Sequence, residues 1–185
     1  MAALAAEGMT PDDHLLDIGC GALRLGHLAV PFLMPGHYWG TDASLALMRH
    51  GRAVELADPG RLPPDHLVED ADFAFPGLPD TITLAIAFGV FTHLPAPALV
   101  TALSNLCPCF PRLRRFLFTV FLAPEGASGT RQPDGVVTHP DRPPYHVGEA
   151  FVAAAIRDAG LIPIRKPDLL PRGQVLWTAS PPQIP

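Results

Sequence analysis

Short apolar runs alternate with longer amphipathic stretches along most of the chain. Each apolar run is typical of a strand buried on both faces, as in a parallel sheet. We predict strands over residues 15–19, 38–42, 66–69, 82–88, 114–122, 161–166 and 174–180. The amphipathic stretches predict helices over residues 22–34, 44–57, 95–108 and 147–159, with a helical turn at 2–7. This alternation predicts an α/β fold with a parallel sheet.

The last part of the pattern departs from this alternation. A short segment containing Pro171-Arg172-Gly173 separates the last two predicted strands. It is too short for a helical crossover, so these strands must form an antiparallel hairpin. Residues 123–145 predict a long irregular loop, and residues 1–14 a short lead-in. No linker divides the 185 residues, so we predict a single domain spanning 1–185.

Composition excludes several classes of protein. The formal net charge of −5 argues against nonspecific binding to nucleic acid or to an acidic membrane surface. The longest apolar stretches, near 82–91 and 116–123, are far shorter than the roughly 20 residues of a membrane-spanning helix. Three cysteines without paired spacing favour a reducing compartment. Because no signal peptide is visible either, we expect a cytoplasmic protein with no nucleic-acid or membrane partner.

The most informative stretch follows the first predicted strand, where Asp17 precedes Gly19-Cys20-Gly21. Glycine allows a sharp turn and a close approach of a ligand to the backbone, and ligands of open α/β sheets bind beyond this strand end. A dinucleotide fingerprint would place a third glycine where this chain has Arg24. A carboxylate at residue 17 would also repel a pyrophosphate, whereas it suits a ligand with an ammonium and a sulfonium. These features favour S-adenosylmethionine (SAM).

The same segment resembles motif I, acid-x-G-x-G-x-G, of the class I (Rossmann-like) SAM-dependent methyltransferases, with Leu23 in place of the third glycine. Tyr38-Trp39-Gly40-Thr41-Asp42 looks like motif II of that family. There an acid at the end of strand 2 accepts hydrogen bonds from both ribose hydroxyls. A NAD-binding domain would show the same acid, so Asp42 predicts a ribose without naming the nucleotide.

A third resemblance concerns the segment from Glu69 to Pro76, which is similar to the family's loop after strand 3. It implies that Asp70 accepts a hydrogen bond from the adenine amino group and that the N–H of Ala71 reaches the ring. The acids Glu69 and Asp72 stand beside Asp70, so the choice among the three remains open, as does a merely solvated acidic loop.

Three further segments resemble a small-molecule methyltransferase subgroup. Gly89-Val90-Phe91-Thr92-His93-Leu94-Pro95 is similar to its S-V-F-T-H-L-P strand end, and residues 139–146 and 171–174 look like its H-P-D-x-x-P-Y-H and P-R-G-Q loops. One departure is Ile82-Thr83, where the family usually has Phe-Asp; we expect little catalytic effect from it. The resemblance implies a cofactor site formed by Asp17, Gly19, Cys20, Gly21, Arg24, Asp42, Ala43, Asp70, Ala71, Val90 and Phe91.

The resemblance covers about residues 8–180 and implies a definite architecture. We expect a three-layer Rossmann-like methyltransferase sandwich with a seven-stranded, mostly parallel sheet. The implied strand order is 3-2-1-4-5-7-6, with an antiparallel last strand. The polar loops over strands 5 to 7, including 123–145, would lie on the acceptor side of the sheet.

Methyl transfer from a sulfonium is an in-line displacement, so the protein mainly aligns the acceptor with the methyl group. A general base helps when the acceptor is a hydroxyl or an ammonium. We predict His93 and His146 as candidate bases, because imidazole titrates near neutral pH, and Tyr145 as a positioning donor. His139 is a further candidate that we place with Arg172 at the substrate, where Arg172 would bind a carboxylate or phosphate. Ordinary structural or surface roles are open for each of these side chains.

The spacing of His139, Asp141 and His146 fits no helical two-histidine motif, so we expect no metal. Family members usually carry N-terminal helices that cover the cofactor, and this chain has only residues 1–14 before the first strand. We expect a homodimer partner or the 123–145 loop to supply the cover, unless the coding start is misassigned. The favoured function is methyl transfer to an oxygen or nitrogen of a small molecule. The alternatives are a SAM- or S-adenosylhomocysteine (SAH)-binding module without turnover and, less favoured, a NAD-dependent oxidoreductase.

Overall fold

The structure is a computed structural model that describes residues 1–182, except the side chains of residues 168 and 169. The chain forms two compact units. The first comprises residues 1–86 and 109–114, and the second comprises residues 87–108 and those from 115 onward. The predicted domain of 1–185 includes residues 183–185, which lie outside the described part, and its being a single domain stays a prediction.

The first unit contains four parallel strands in the order β3-β2-β1-β4. Strand β1 (Leu15–Ile18) pairs with β2 (Tyr38–Asp42) and with β4 (Leu84–Ala87), and β2 pairs with β3 (Leu67–Glu69). All residues of β1 and β4 are buried, which explains their continuous apolar sequences. Because the strands are parallel, the carboxyl ends of β1, β2 and β3 meet at one edge.

Three helices belong to the first unit: α1 (Ala2–Ala6), α2 (Gly26–Phe32) and α3 (Leu45–Val54). Short 3-10 turns follow at Pro59–Arg61 and Pro64–His66. Helix α2 begins at Gly26 rather than at the predicted residue 22, because Leu23 adopts a left-handed φ of 62° that a helix does not admit. The predicted start of α3 is close, since the Ser44 side chain accepts a hydrogen bond from the Leu47 N–H as an N-cap.

The second unit begins with helix α4 (Ala96–Cys109) and strand β5 (Arg115–Leu122). The segment predicted as an irregular loop over 123–145 contains a short antiparallel hairpin of β6 (Thr130–Arg131) and β7 (Val137–Thr138). Strand β8 (His146–Val147) then pairs in parallel with the end of β5. The loop prediction is therefore wrong in part, because two-residue strands are too short to show a periodic pattern.

Helix α5 (Glu149–Asp158) follows β8 and begins two residues later than predicted, since His146 and Val147 are extended. Strands β9 (Ile162–Leu169) and β10 (Val175–Ser180) complete the second unit, with a 3-10 turn at Pro171–Gly173 between them. Strand β10 is antiparallel to both β5 and β9. The predicted hairpin and antiparallel last strand are confirmed.

The predicted fold class is also confirmed: this is a mixed α/β protein with a mostly parallel sheet flanked by helices. The strand order within each unit agrees with the predicted order, and the short strands β6, β7 and β8 are additions to it. Across residues 1–182, no helix has the length and apolar character needed to cross a membrane.

Candidate functional site

The glycine turn after β1 is hydrogen-bonded to Asp42, the acid at the end of β2. Gly19 and Gly21 adopt φ values of 67° and 53°, which glycine reaches without a steric penalty. The Gly21 N–H donates to the Asp42 carboxylate at 3.0 Å, and the Ser44 N–H donates to its other oxygen at 3.0 Å. Asp42 is half-buried and Gly19 is exposed. The turn and the Asp42 carboxylate therefore meet at the edge where ligands of α/β sheets bind, and the predicted ribose contact of Asp42 stays a prediction.

Asp17, the acid before the turn, is directed into the first unit. It is 4% exposed, and it accepts a hydrogen bond of 2.7 Å from the Tyr38 hydroxyl. Removal from water raises the pKa of Asp17 to about 7, against the opposing effect of the Tyr38 hydrogen bond. Burial likewise raises the pKa of the Cys20 thiol, so Cys20 is held as an unreactive thiol. Two other predicted cofactor residues, Arg24 and Ala43, are exposed.

Helix α3 packs directly on this turn. A Cβ at Gly51 would lie 2.4 Å from the carbonyl oxygen of Ala22, so helix backbone and turn backbone are in close contact. Sequence reasoning missed Gly51, although an isolated glycine inside a helical pattern is a signal of close packing. Gly51 thereby fixes the position of the turn that contains Gly21.

The loop after β3 is organised by Asp70. Its carboxylate accepts from the backbone N–H groups of Asp72 and Ala74, each at 3.1 Å, and of Phe75 at 2.9 Å. The Asp70 N–H donates to the carbonyl of Asp42 at 3.0 Å, so the loop begins beside Asp42, the residue predicted to bind the ribose. Among the three neighbouring acids, Asp70 therefore shapes the loop, and Ala71 is exposed on it.

The segment after β4 is held within the second unit by hydroxyl groups. The Gly89 N–H donates to the Thr119 hydroxyl at 2.8 Å, and the Thr92 hydroxyl donates to the Gly89 carbonyl at 2.8 Å. Phe91 is 4% exposed and packs edge-on against Phe118 at 5.8 Å. Phe91 therefore lies in the hydrophobic core of the second unit rather than on the surface of an open pocket. Val90 is half-buried, and Phe88, which sequence reasoning passed over, is 48% exposed.

A cavity of about 240 Å³ in the second unit collects several predicted acceptor residues. It is lined by Thr92, His93, Phe121, Asp134, Val136, Pro143, Pro144, Arg172 and Gln174. His93 and Arg172 are both exposed, and the structure thus brings together one predicted base and one predicted anion-binding cation. Arg172 adopts a left-handed φ of 68°. A Cβ on the adjacent Gly173 would lie 2.3 Å from Pro133, so this turn packs closely on the segment after β6.

His146, predicted as a base, is engaged internally instead. It is 6% exposed. Its Nδ1 lies 2.9 Å from the Thr138 hydroxyl oxygen, and its Nε2 lies 3.1 Å from the Ala127 carbonyl oxygen. A carbonyl only accepts, so Nε2 carries the proton that it donates to Ala127. With both ring nitrogens paired, His146 holds the loop of β6 and β7 to β8, and the structure gives it no free nitrogen for an acceptor.

His139 and Tyr145 also lie outside the residues that line this cavity. The His139 Nδ1 lies 3.2 Å from the Ser128 carbonyl oxygen, and its Nε2 lies 3.3 Å from an Arg142 guanidinium nitrogen. The Tyr145 N–H donates to the Thr92 carbonyl at 2.8 Å, so its backbone supports the segment that carries His93. No group of histidine, cysteine and acidic side chains in the described part of the chain is arranged to hold a metal ion.

Several solved structures share this architecture. The magnesium protoporphyrin IX methyltransferase of Synechocystis PCC 6803 with bound SAH matches at a TM-score of 0.69 and 20% identity, over 98% of this chain and 80% of that one. The glycopeptide N-methyltransferase MtfA complexed with SAH matches at a TM-score of 0.67 and 15% identity, over 98% of this chain and 85% of that one. Neither protein-family models nor curated proteins give a match. The chain has the Rossmann-like fold of the class I SAM-dependent methyltransferases.

Proposed function

We propose that this protein binds SAM and transfers its methyl group to an oxygen or nitrogen of a small molecule. The observation that carries the proposal is the hydrogen bond between the Gly21 N–H and the Asp42 carboxylate. It holds a glycine turn and a carboxylate together at the carboxyl edge of parallel strands. The structural neighbours solved with SAM and SAH support the choice of this nucleoside.

The residues at this edge fit an adenosyl amino acid. Each Asp42 oxygen accepts one backbone N–H, which leaves a lone pair on each oxygen for a ribose hydroxyl. A Cβ at Gly21 would meet nothing closer than 4.0 Å, so the turn has open space beside it. We place the methionine ammonium toward Asp17 and the adenine toward Asp70 and Ala71. Val90 remains a proposed lining residue, whereas Phe91 lies in the core of the second unit.

When bound, SAM supplies a methyl group activated by its sulfonium. The chain's own contribution is to orient the acceptor and to take its proton. We propose His93 as the general base, because the cavity that it lines contains no other histidine. Arg172 in the same cavity would pair with a carboxylate or phosphate of the acceptor. The cavity volume of about 240 Å³ gives room for a small acceptor group.

We propose a single functional domain in the cytoplasm, since Cys20, Cys107 and Cys109 are all free thiols. The net charge of −5 supports an acceptor other than nucleic acid. A homodimer would add cover to the cofactor site, and sedimentation of the purified protein would test it.

Calorimetry with SAH and with NAD distinguishes the classes of function. We expect saturable heat with SAH, none with NAD, and a large loss of SAH affinity in Asp42→Ala. Labelled SAM incubated with a panel of hydroxyl and amine acceptors should then give a methylated product that His93→Ala reduces while SAH affinity is retained. SAH binding without transfer to any acceptor would favour the non-methylating module. Saturable heat with NAD alone would refute both the methyltransferase and the non-methylating module.

A further inference from the structure

Asp17 accepts fewer hydrogen bonds than Asp13, a carboxylate of similar solvent exposure in the same unit. Asp13 is 5% exposed and accepts from the Thr10 N–H and hydroxyl, the Thr83 hydroxyl and the Arg114 guanidinium. Asp17 is 4% exposed, and the Tyr38 hydroxyl is its one hydrogen-bond donor among residues 1–182. A carboxylate offers about four acceptor sites, so Asp17 keeps most of its capacity for a further donor.

The Tyr38 hydroxyl is held in place by the residues around it. Tyr38 is 1% exposed. A Cβ at Gly26 would lie 3.1 Å from the Tyr38 hydroxyl and 2.9 Å from the Leu23 Cβ, so only glycine leaves this space to the phenol. The fixed hydroxyl donates to Asp17 across the paired strands β1 and β2. Both partners of this hydrogen bond are therefore held in place by the buried sheet.

We propose that Tyr38 is a positioning residue that keeps the Asp17 carboxylate ionised and aimed for the ammonium of the bound cofactor, so that cofactor affinity depends on pH. This inference rests on the proposed function, because it assigns the ammonium to Asp17. Tyr38 itself does not touch the cofactor; it acts through the charge and orientation of Asp17.

The charges around Asp17 give the direction of the effect. The pKa of Asp17 is raised to about 7 as the net result of four effects: burial raises it most, the Tyr38 hydrogen bond and the Met1 ammonium lower it, and the Asp42 carboxylate raises it. The Cys20 thiol faces the same group from the turn. Asp17 is therefore ionised above about pH 7 and neutral below it. A cationic ligand pairs with the ionised form, so its affinity should fall as the pH falls.

The test is the dissociation constant of SAH, measured by calorimetry from about pH 5.5 to about pH 8.5. We expect the wild-type protein to bind SAH roughly 30-fold more weakly at the acidic end than at the alkaline plateau. Tyr38→Phe should move the midpoint upward by about one pH unit, since a hydrogen bond to the charged form is lost. The alkaline plateau should be retained. Asp17→Asn should bind weakly at every pH, with this transition absent.

Thr83→Val is the matched control, because it removes a hydroxyl donor from Asp13 in the same unit and leaves Asp17 untouched. It should lower thermal stability without moving the midpoint of SAH binding. Tyr38→Phe with a wild-type pH profile, or Asp17→Asn with the wild-type transition, would overturn this inference while leaving the SAM site intact. Failure of the wild-type protein to bind SAH at any pH would overturn the proposed cofactor site and this inference with it.

Discussion

Gly51→Ala tests the contact that positions the glycine turn. Alanine in place of glycine normally stabilises a helix interior by about 1 kcal/mol, so helix propensity alone predicts a more stable protein. Here the new Cβ would lie 2.4 Å from the carbonyl oxygen, 2.5 Å from the carbonyl carbon and 2.7 Å from the Cα of Ala22. These are backbone atoms, so helix α3 or the turn must move.

The cost of such overpacking is about 1–3 kcal/mol. Each kcal/mol lost lowers the melting temperature of a chain of this size by roughly 2–4 °C, so we expect a decrease of several degrees. SAH affinity should also fall, because Ala22 directly follows Gly21 in the displaced turn. Urea denaturation gives the free energy of unfolding, and calorimetry gives the SAH affinity.

Gly148→Ala is the matched control. Gly148 precedes α5 with an ordinary φ of −74°, and a Cβ there would meet nothing within 4 Å. Gly148 is the N-cap of α5, so its substitution should cost no more than about 1 kcal/mol, the usual size of a cap effect, and leave SAH binding unchanged. If Gly51→Ala were as stable as the wild-type protein or more stable, the packing of α3 on the turn would be refuted.

Three further predictions concern the first unit. Asp42→Ala should weaken SAH binding by about 2 kcal/mol, roughly 30-fold, because two charged hydrogen bonds to the ribose are lost; calorimetry measures it. Burial disfavours the charged form of Asp13, but hydrogen bonds from Thr10, Arg114 and Thr83 hold its pKa below the usual value. The stabilisation from the charged Asp13 is therefore lost as the pH falls below about 4. Arg114→Ala should move acid unfolding, measured by circular dichroism, to higher pH. Burial lowers the pKa of His14, so stability should decline below about pH 6.5, where the unfolded chain takes up the proton, and His14→Gln should flatten that decline in urea titrations.

Each of these predictions has a control in the same chain. Asp42→Asn keeps an oxygen acceptor and should lose less SAH affinity than Asp42→Ala; equal SAH binding by all three proteins would refute the ribose assignment. Arg115→Ala changes a neighbouring arginine and should leave the acid transition of Asp13 unchanged. His50→Gln alters an exposed histidine of α3, and a pH response identical to that of His14→Gln would contradict the assignment to His14.

Much of the fold follows from local features of the sequence. Strands β1 and β4 could be recognised because parallel strands buried on both faces need continuous apolar residues. The glycines at 19 and 21 marked the turn, since their positive φ angles are costly for other residues. The short connection before Val175 required a hairpin, because no crossover fits in it. These constraints act over a few neighbouring residues, so the local sequence by itself determined the order of the main strands and helices and the position of the glycine turn, but not the short strands β6, β7 and β8.

The partner of each polar side chain was decided by the tertiary structure. His93 and His146 are equally plausible bases in the sequence, yet one lines a cavity and the other is paired at both ring nitrogens. The Tyr38 hydroxyl meets Asp17 across 21 residues of chain, a contact that no local pattern specifies. Hydrogen bonds and desolvation depend on which distant segments pack together. Only the folded chain therefore determines which titratable groups can react and which merely hold the structure.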